Sequence, residues 1–399
     1  MITKRKIYNL LIFLILVCFG FFGSLSHIFS LILIIIVLSN QIKKVDPLSM
    51  DYKSIGLFAA LTGCFFLFLV NSFFHKNFGS SMIYLSPMYP LPLIGLLIIF
   101  NTDNNLKLKS KTIAHFSQFS VLFSLLIYLG LWSFFGTESN YNKFFTGRLI
   151  LFSGNPIPLS FSILGISILC LADWRNSGKK QKISALMCFI IGIYISAFLT
   201  KTNSTLLSAI IVSPIILSYL SKRPILILTI TCATLFVFLS FIYFKITNNP
   251  KSVNFSLVNN SMSIQQRIDM WIAALYVISD IPLFGYNITE RFNAVRPYLP
   301  EYFLRTYTHP HNDILASIIA CGFPGGIASI ISLLTTTLAA FLSDEKSSEK
   351  LYFGVLLTIP IFITANVSTV FFNDITAAWL AFSTYLIWNT NFKTIENGV

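Results

Sequence analysis

Two of the five histidines stand one residue apart in Thr308-His309-Pro310-His311-Asn312-Asp313-Ile314-Leu315. Imidazole is the side chain whose ordinary pKa lies nearest neutrality, so a histidine at the mouth of a cavity can take a proton from a substrate hydroxyl. His311 is the candidate general base, with His309 and Asn312 beside it as polar contacts. A His-x-His pair could also hold a metal, but no third ligand is in view, and no metal or other cofactor is implied. The same spacing fits two interfacial histidines beside a helix capped by Asn312 or Asp313, and spacing alone does not choose between these readings. Gly322, Pro324, Gly325 and Gly326 follow and break an otherwise apolar helix. Irregular backbone at membrane depth persists only against protein or a wet cavity. Upstream, Arg267 falls near the start of a helical pattern, where a cation opposes the helix dipole, so its presence asks for a functional reason. Glu290 and Glu301 are rival bases.

These residues need a scaffold, and the composition says which kind. The 399 residues are 55% hydrophobic and 11% charged. A soluble domain carries about 25% charged residues. Apolar runs of roughly 20 residues, enough to cross ~30 Å of hydrocarbon, alternate with short polar loops. Unbroken apolar runs exclude the alternating pattern of a membrane barrel, which leaves a polytopic all-α membrane protein. The net charge of +13 is scattered over loops and forms no single patch, so no nucleic acid is expected as a partner. All six cysteines fall in apolar segments without Cys-x-x-Cys spacing, against a disulfide framework or a zinc site. There is no phosphate-binding Walker loop and no dinucleotide fingerprint, so the energy for any chemistry must come from the substrate.

The pattern predicts about twelve spans in a single domain covering 1–399: roughly 7–24, 28–40, 54–74, 82–100, 113–135, 155–173, 183–199, 204–220, 224–244, 312–341, 351–368 and 371–389. The first resembles a signal peptide but lacks a small-residue cleavage site and is read as an anchor. One helix over 7–40 would be ~50 Å long, so Gly20, Gly23, Ser24 and Ser26 are read as a turn between two spans. With both termini cytoplasmic, 18 of the 28 Lys and Arg residues fall in inner loops, as the positive-inside rule expects. Merging the first two spans would invert every later loop. Asp374 in the last span marks a buried polar contact or pathway.

The outer face then carries the loop 136–154 and a long one, 245–310, between spans nine and ten. The long loop is expected to contain short helices. Ile264, Ile268, Trp271, Ile272, Leu275 and Ile278 are spaced for one face of a helix. Ser263 with Gln266 opens it as a capping box, and Pro282 and Gly285 end it. Such an element would lie on the membrane or cover a cavity. Arg291, Arg296 and Arg305 read as solvated charges or contacts to anionic headgroups.

His311-Asn312 with Leu315, Gly322 and Gly325 resembles the signature of the O-antigen ligase and Wzy polymerase superfamily. Ile281-Pro282-Leu283-Phe284-Gly285 is similar to the family's PLFG segment, with Asn287 where a second glycine is common. Arg267 matches a family arginine, and Arg148, ahead of Phe152-Ser153-Gly154-Asn155-Pro156, matches another. Members usually carry an arginine after a Thr-x-Thr, where this chain reads Thr200-Lys201-Thr202-Asn203-Ser204-Thr205. Lys201 can supply charge there, but not the bidentate fork of arginine.

The resemblance implies an enzyme of the bacterial inner membrane: a glycosyltransferase that needs neither metal nor ATP. Its donor would be a glycan on undecaprenyl diphosphate, gripped at the diphosphate by Arg267, Arg148 and Lys201. His311 would deprotonate an acceptor hydroxyl. As an O-antigen ligase it would transfer the polymer to a sugar of lipid A-core at the periplasmic face. As a Wzy-type polymerase it would extend the chain onto one new repeat unit; a protein O-glycosylating relative is a further reading. A transporter or flippase of lipid-linked glycans is the non-enzymatic alternative, and it would usually show duplicated halves with paired broken spans.

Overall fold

The computed structural model describes residues 4–21, 23–41, 51–75, 78–100, 107–135, 156–200, 202–221, 229, 264–299, 310–345 and 347–392. These residues are almost entirely helical. The chain opens with α1 (Lys4–Phe21) and α2 (Gly23–Gln41), which break at the expected glycine-serine turn and pack on each other as two separate helices. α3 (Tyr52–Phe74) follows, started by Asp51, whose side chain accepts the Lys53 N–H at 3.2 Å. The region expected as one span over 82–100 is instead two helices, α4 (Phe78–Leu85, continued by a 3-10 turn to Met88) and α5 (Pro90–Phe100), bent by 57°. Pro87, Pro90 and Pro92 remove backbone donors at and after the bend, which is why the chain turns there.

β1 (Leu108–Lys109) leads into α6 (Ser110–Phe135). α7 (Pro156–Leu169) stops at a series of turns, shorter than the expected 155–173. α8 (Lys179–Ile193) runs on as a π-turn over Tyr194–Leu199, and α9 spans Asn203–Leu220. The expected span at 224–244 lies outside the described residues. The long loop contributes α10 (Ile264–Ser279) and the short α11 (Arg291–Val295). The expected 312–341 segment is divided into α12 (Asp313–Leu333), kinked at Gly322, and α13 (Thr335–Leu342). α14 (Ser348–Val367) and α15 (Asp374–Asn389) close the bundle, and β2 (Thr390–Asn391) pairs in parallel with β1.

Among the described residues five helices are long and apolar enough to cross a membrane, or six if the bent α4–α5 pair counts as one span. α15 is apolar all round and is buried accordingly: every residue from Ile375 to Ile387 is inside the bundle. Its Trp379 meets Phe19 of α1 edge to face, with ring centroids 5.2 Å apart. Asp374 is not deep within that helix but in its first turn, half-buried, beside the capping Asn373.

The bundle has two chemically distinct ends. At one, Lys53 pairs with Asp344, Arg175 with Glu349 and Lys350 with Glu345, and β1 meets β2. These belong to loops that the charge pattern assigns to a single face. At the other end the last turns of α3 and α14 meet the Phe284–Asn287 segment and the start of α12.

Candidate functional site

His311 sits at the turn into α12, and its backbone is held at φ 49°, in the left-handed region. For a non-glycine residue that conformation costs about 1 kcal/mol or more, so neighbours must hold it. They are visible on both sides. Before it, the indole N–H of Trp271, on α10, donates to Pro310 O at 3.1 Å. After it, Asn312 caps α12 by accepting the Leu315 N–H at 3.0 Å, and its Nδ2 donates to Asn366 Oδ1 of α14 at 3.2 Å. One carboxamide therefore starts a helix and ties it to the neighbouring one.

Next in the chain, the fully buried Asp313 carboxylate accepts from Thr369 Oγ1 at 2.8 Å, Val370 N at 2.5 Å and Phe371 N at 3.2 Å. It thereby folds the α14–α15 connection around the start of α12. In the sequence Asp313 stands only as an alternative to Asn312 for capping the helix. Its signal was an acidic side chain in the first turn of an apolar helix, which in hydrocarbon demands a partner.

Arg267 lies in the first turns of α10, half-buried. Its Nε is sealed from solvent and makes no hydrogen bond among the described residues. Burial lowers its pKa. The same guanidinium, added to burial as the larger cause, lowers the His311 pKa from 6.5 to about 4. The sequence placed His311 near neutrality; a dry site beside a fixed cation pushes it down, because a second positive charge there is unfavourable. At neutral pH the imidazole is uncharged and able to accept a proton.

The break in α12 explains the Pro282–Gly285 segment. At Gly322 (φ 70°) the helix kinks and leaves carbonyls without intrahelical partners. Tyr286 N donates to Ile319 O and Asn287 N to Ala320 O, each at 2.9 Å. Both chains must come close for this. A Cβ at Gly322 would stand 1.9 Å from Leu283 O, and one at Gly285 (φ 73°) would stand 2.5 Å from the Ala320 carbonyl carbon. Asn71 of α3 donates to Phe284 O at 2.6 Å and fixes the segment from the other side. Asn287 has φ 79°, so a position where glycine is common retains its left-handed backbone here with asparagine, the residue that tolerates it best.

Arg148, Lys201 and His309 lie outside the described residues, as do Ser263, Arg305 and Glu301. The flanks of Lys201 are described. Thr200 and Thr202 are buried and share a hydrogen bond of 2.9 Å, directly after the π-turn. α9 packs along α14, with the Tyr352 hydroxyl on Ile215 O, so the two run antiparallel and the Asn203 end rises on the same side as Asn366. Arg291 corrects the expectation of a solvated charge. It is 4% exposed and packs on the rings of Phe372 at 4.3 Å, Phe292 at 4.5 Å and Tyr84 at 5.5 Å. Arg296 is exposed, as expected. Glu290 is exposed too and accepts from Asn293 at 2.8 Å, away from the burial that marks His311.

A family model described as O-antigen ligase matches residues 158–330. Over those residues the chain is similar to the O-antigen ligase family. The match runs from α7 through α10 and His311-Asn312 to the glycines of the kink; it includes Arg267, Arg291, His311 and Asp313, and leaves out Arg148, Asn71 of α3 and Asn366 of α14. Members of this ligase family are glycosyltransferase-like enzymes of lipopolysaccharide biosynthesis. No curated protein matches the chain.

Proposed function

We propose that the protein is an O-antigen ligase. It takes a polysaccharide from undecaprenyl diphosphate and joins it to a sugar hydroxyl of lipid A-core, at the periplasmic face of the inner membrane. The observation that carries this reading is the coupling of a half-buried guanidinium, whose Nε has no hydrogen-bond partner among the described residues, to an uncharged imidazole held in a strained turn. A cation in a dry site with an unused N–H suits an anionic ligand, and a diphosphate leaving group supplies one.

In the step envisaged, the acceptor oxygen attacks the anomeric carbon of the donor sugar while the bond from that carbon to the diphosphate oxygen breaks. The electron pair leaves with the diphosphate, against Arg267, with Arg148 and Lys201 as further cations. The acceptor proton passes to His311. Donor binding also tunes the base: an anion on Arg267 offsets the charge that depresses the imidazole and raises its pKa toward working pH. Asn312 has a positioning part in this scheme, since its carboxamide already holds the helix start and Asn366. His309 is proposed as a contact to the acceptor.

The transporter reading draws on one observation. The bent α4–α5 pair is a second interrupted apolar segment beside α12, where the sequence had indicated one. The test is the lipopolysaccharide ladder in cells lacking the gene, with the native or the His311→Ala copy restored. Bare core with polymer accumulating on the lipid carrier supports the ligase. Core bearing one repeat assigns a polymerase, and normal ladders with His311→Ala remove the histidine as base and favour transport.

A further inference from the structure

The helix of the long outer loop is turned inside out for a water-exposed element. α10 buries Ala273 and Ala274 with Met270 and Val277, which pack against Ile319 and Leu315 of α12. Its larger apolar side chains point away. Ile272 is 46% exposed, Leu275 56% and Tyr276 59%, and the stripe continues beyond the helix in Leu283 at 67% and Phe284 at 65%. The sequence pattern puts Ile272 and Leu275 on one apolar face and leaves open whether that face meets membrane or protein. In water, burying alanines while exposing Ile, Leu and Tyr leaves the larger apolar surfaces in contact with solvent. The arrangement is favourable only where the surroundings are apolar.

Hydrogen bonds set how far the segment after this helix lies below the neighbouring helix ends. Tyr286 and Asn287 bond to Ile319 and Ala320 of a helix that is apolar and long enough to span. Ala320 lies seven residues beyond Asp313, which is ~10 Å along the axis at about 1.5 Å per residue. From α3, Asn71 reaches Phe284 three residues short of that helix's end, or ~5 Å below it. Depths of about 5–10 Å are those of helices seated at the boundary between headgroups and acyl chains. The exposed stripe is also continuous with bundle surface: Leu283 O stands against Gly322, and the next residues along α12, Phe323 and Ile327, are 55% and 60% exposed.

We infer that α10 and the Leu283–Phe284 segment form a re-entrant element seated in the outer leaflet, with lipid acyl chains as the partner of the Ile272–Leu275–Tyr276–Leu283–Phe284 face. The inference rests on the membrane-protein reading and not on glycosyl transfer. It places the Trp271–Pro310 contact, and with it His311, at headgroup level, the height at which a lipid's phosphate stands.

The experiment uses the full chain in phosphatidylethanolamine–phosphatidylglycerol vesicles. Cysteines introduced as Leu275→Cys and Leu283→Cys carry a bimane fluorophore, with Glu290→Cys as the water-facing reference and the unsubstituted protein, with its six native cysteines, as background. Nitroxide on the upper acyl chain should quench Leu275→Cys and Leu283→Cys several-fold more than Glu290→Cys, and aqueous iodide should do the reverse. Iodide quenching equal to that of Glu290→Cys would overturn the inference. So would protection from both quenchers, which would mean that protein covers the face. Tyr276→Cys repeats the measurement on the same face if either variant fails to insert.

Discussion

The two ends of the bundle treat their cations differently. At the end bearing β1 and β2 they face carboxylates: Arg175 lies 3.4 Å from Glu349, and Lys350 reaches Glu345 at 3.9 Å and Trp388 O at 3.1 Å. Arg175 also covers the Tyr219 ring at 4.8 Å, and Glu345 accepts the Phe392 N–H at 2.9 Å. At the other end Arg267 Nε has no hydrogen-bond partner among the described residues, His311 is strained and discharged, and a helix long enough to span is interrupted. Pairing secures a fold, because a buried charge without a partner costs several kcal/mol. Charge left open and backbone left strained are retained where a ligand completes the site.

The largest effect on this contrast should come from His311→Ala. Loss of a general base costs about 10²–10⁴-fold in rate. Transfer should vanish from the ladder while membrane insertion and melting temperature hold; retained transfer would reduce the open end to a structural oddity. Arg267→Ala should follow, with loss of donor binding and a shift in the pH profile. Removing the cation lifts the His311 pKa above about 4, so the acid limb of activity moves to higher pH, whereas Arg267→Lys keeps the limb low. An unmoved limb in Arg267→Ala would uncouple the two residues.

The same depressed pKa sets a stability trend. The folded imidazole protonates near 4 and the unfolded one near 6.5, so its contribution is present above about pH 6.5 and is lost as pH falls toward 4. Thermal unfolding of His311→Gln should lack that part of the acid dependence. Gly322→Ala should cost about 2–4 kcal/mol, since it combines a left-handed backbone with a clash on Leu283 O, and it should expose the 281–287 segment to protease. A wild-type melting temperature would mean that the clip is dispensable. The smallest effect belongs to the paired end: Lys53→Ala breaks an exposed ion pair with Asp344 and should leave melting unchanged within error.

Much of this was legible in the residues. Apolar length gave the α3, α6 and α14 spans, and the glycine-serine turn gave the α1–α2 break. The run from Ile264 to a stop before Pro282 gave α10 nearly to the residue. The His311-Asn312 signature led to the kinked helix. Other features were not legible. Asp313, Asn71 and Asn366 act through partners far away in sequence, and nothing local names those partners. Arg291 looked like a surface charge until aromatic rings from three elements enclosed it.

The face of α10 marks the boundary most clearly. Period 3.6 identifies a helix whether its apolar side meets a core or lipid, so spacing determined that the helix exists but not which way it turns. Only the docking of Ala273 and Ala274 on α12, set by backbone hydrogen bonds at the Gly322 break, decided that Leu275 faces outward. By itself the sequence determined element type, the alternation of loops and the residues able to do chemistry, because these follow from local pattern and side-chain identity. The tertiary structure decided which charges are left open and how far His311 is discharged, because burial and electrostatic coupling depend on neighbours that the chain brings together only when folded.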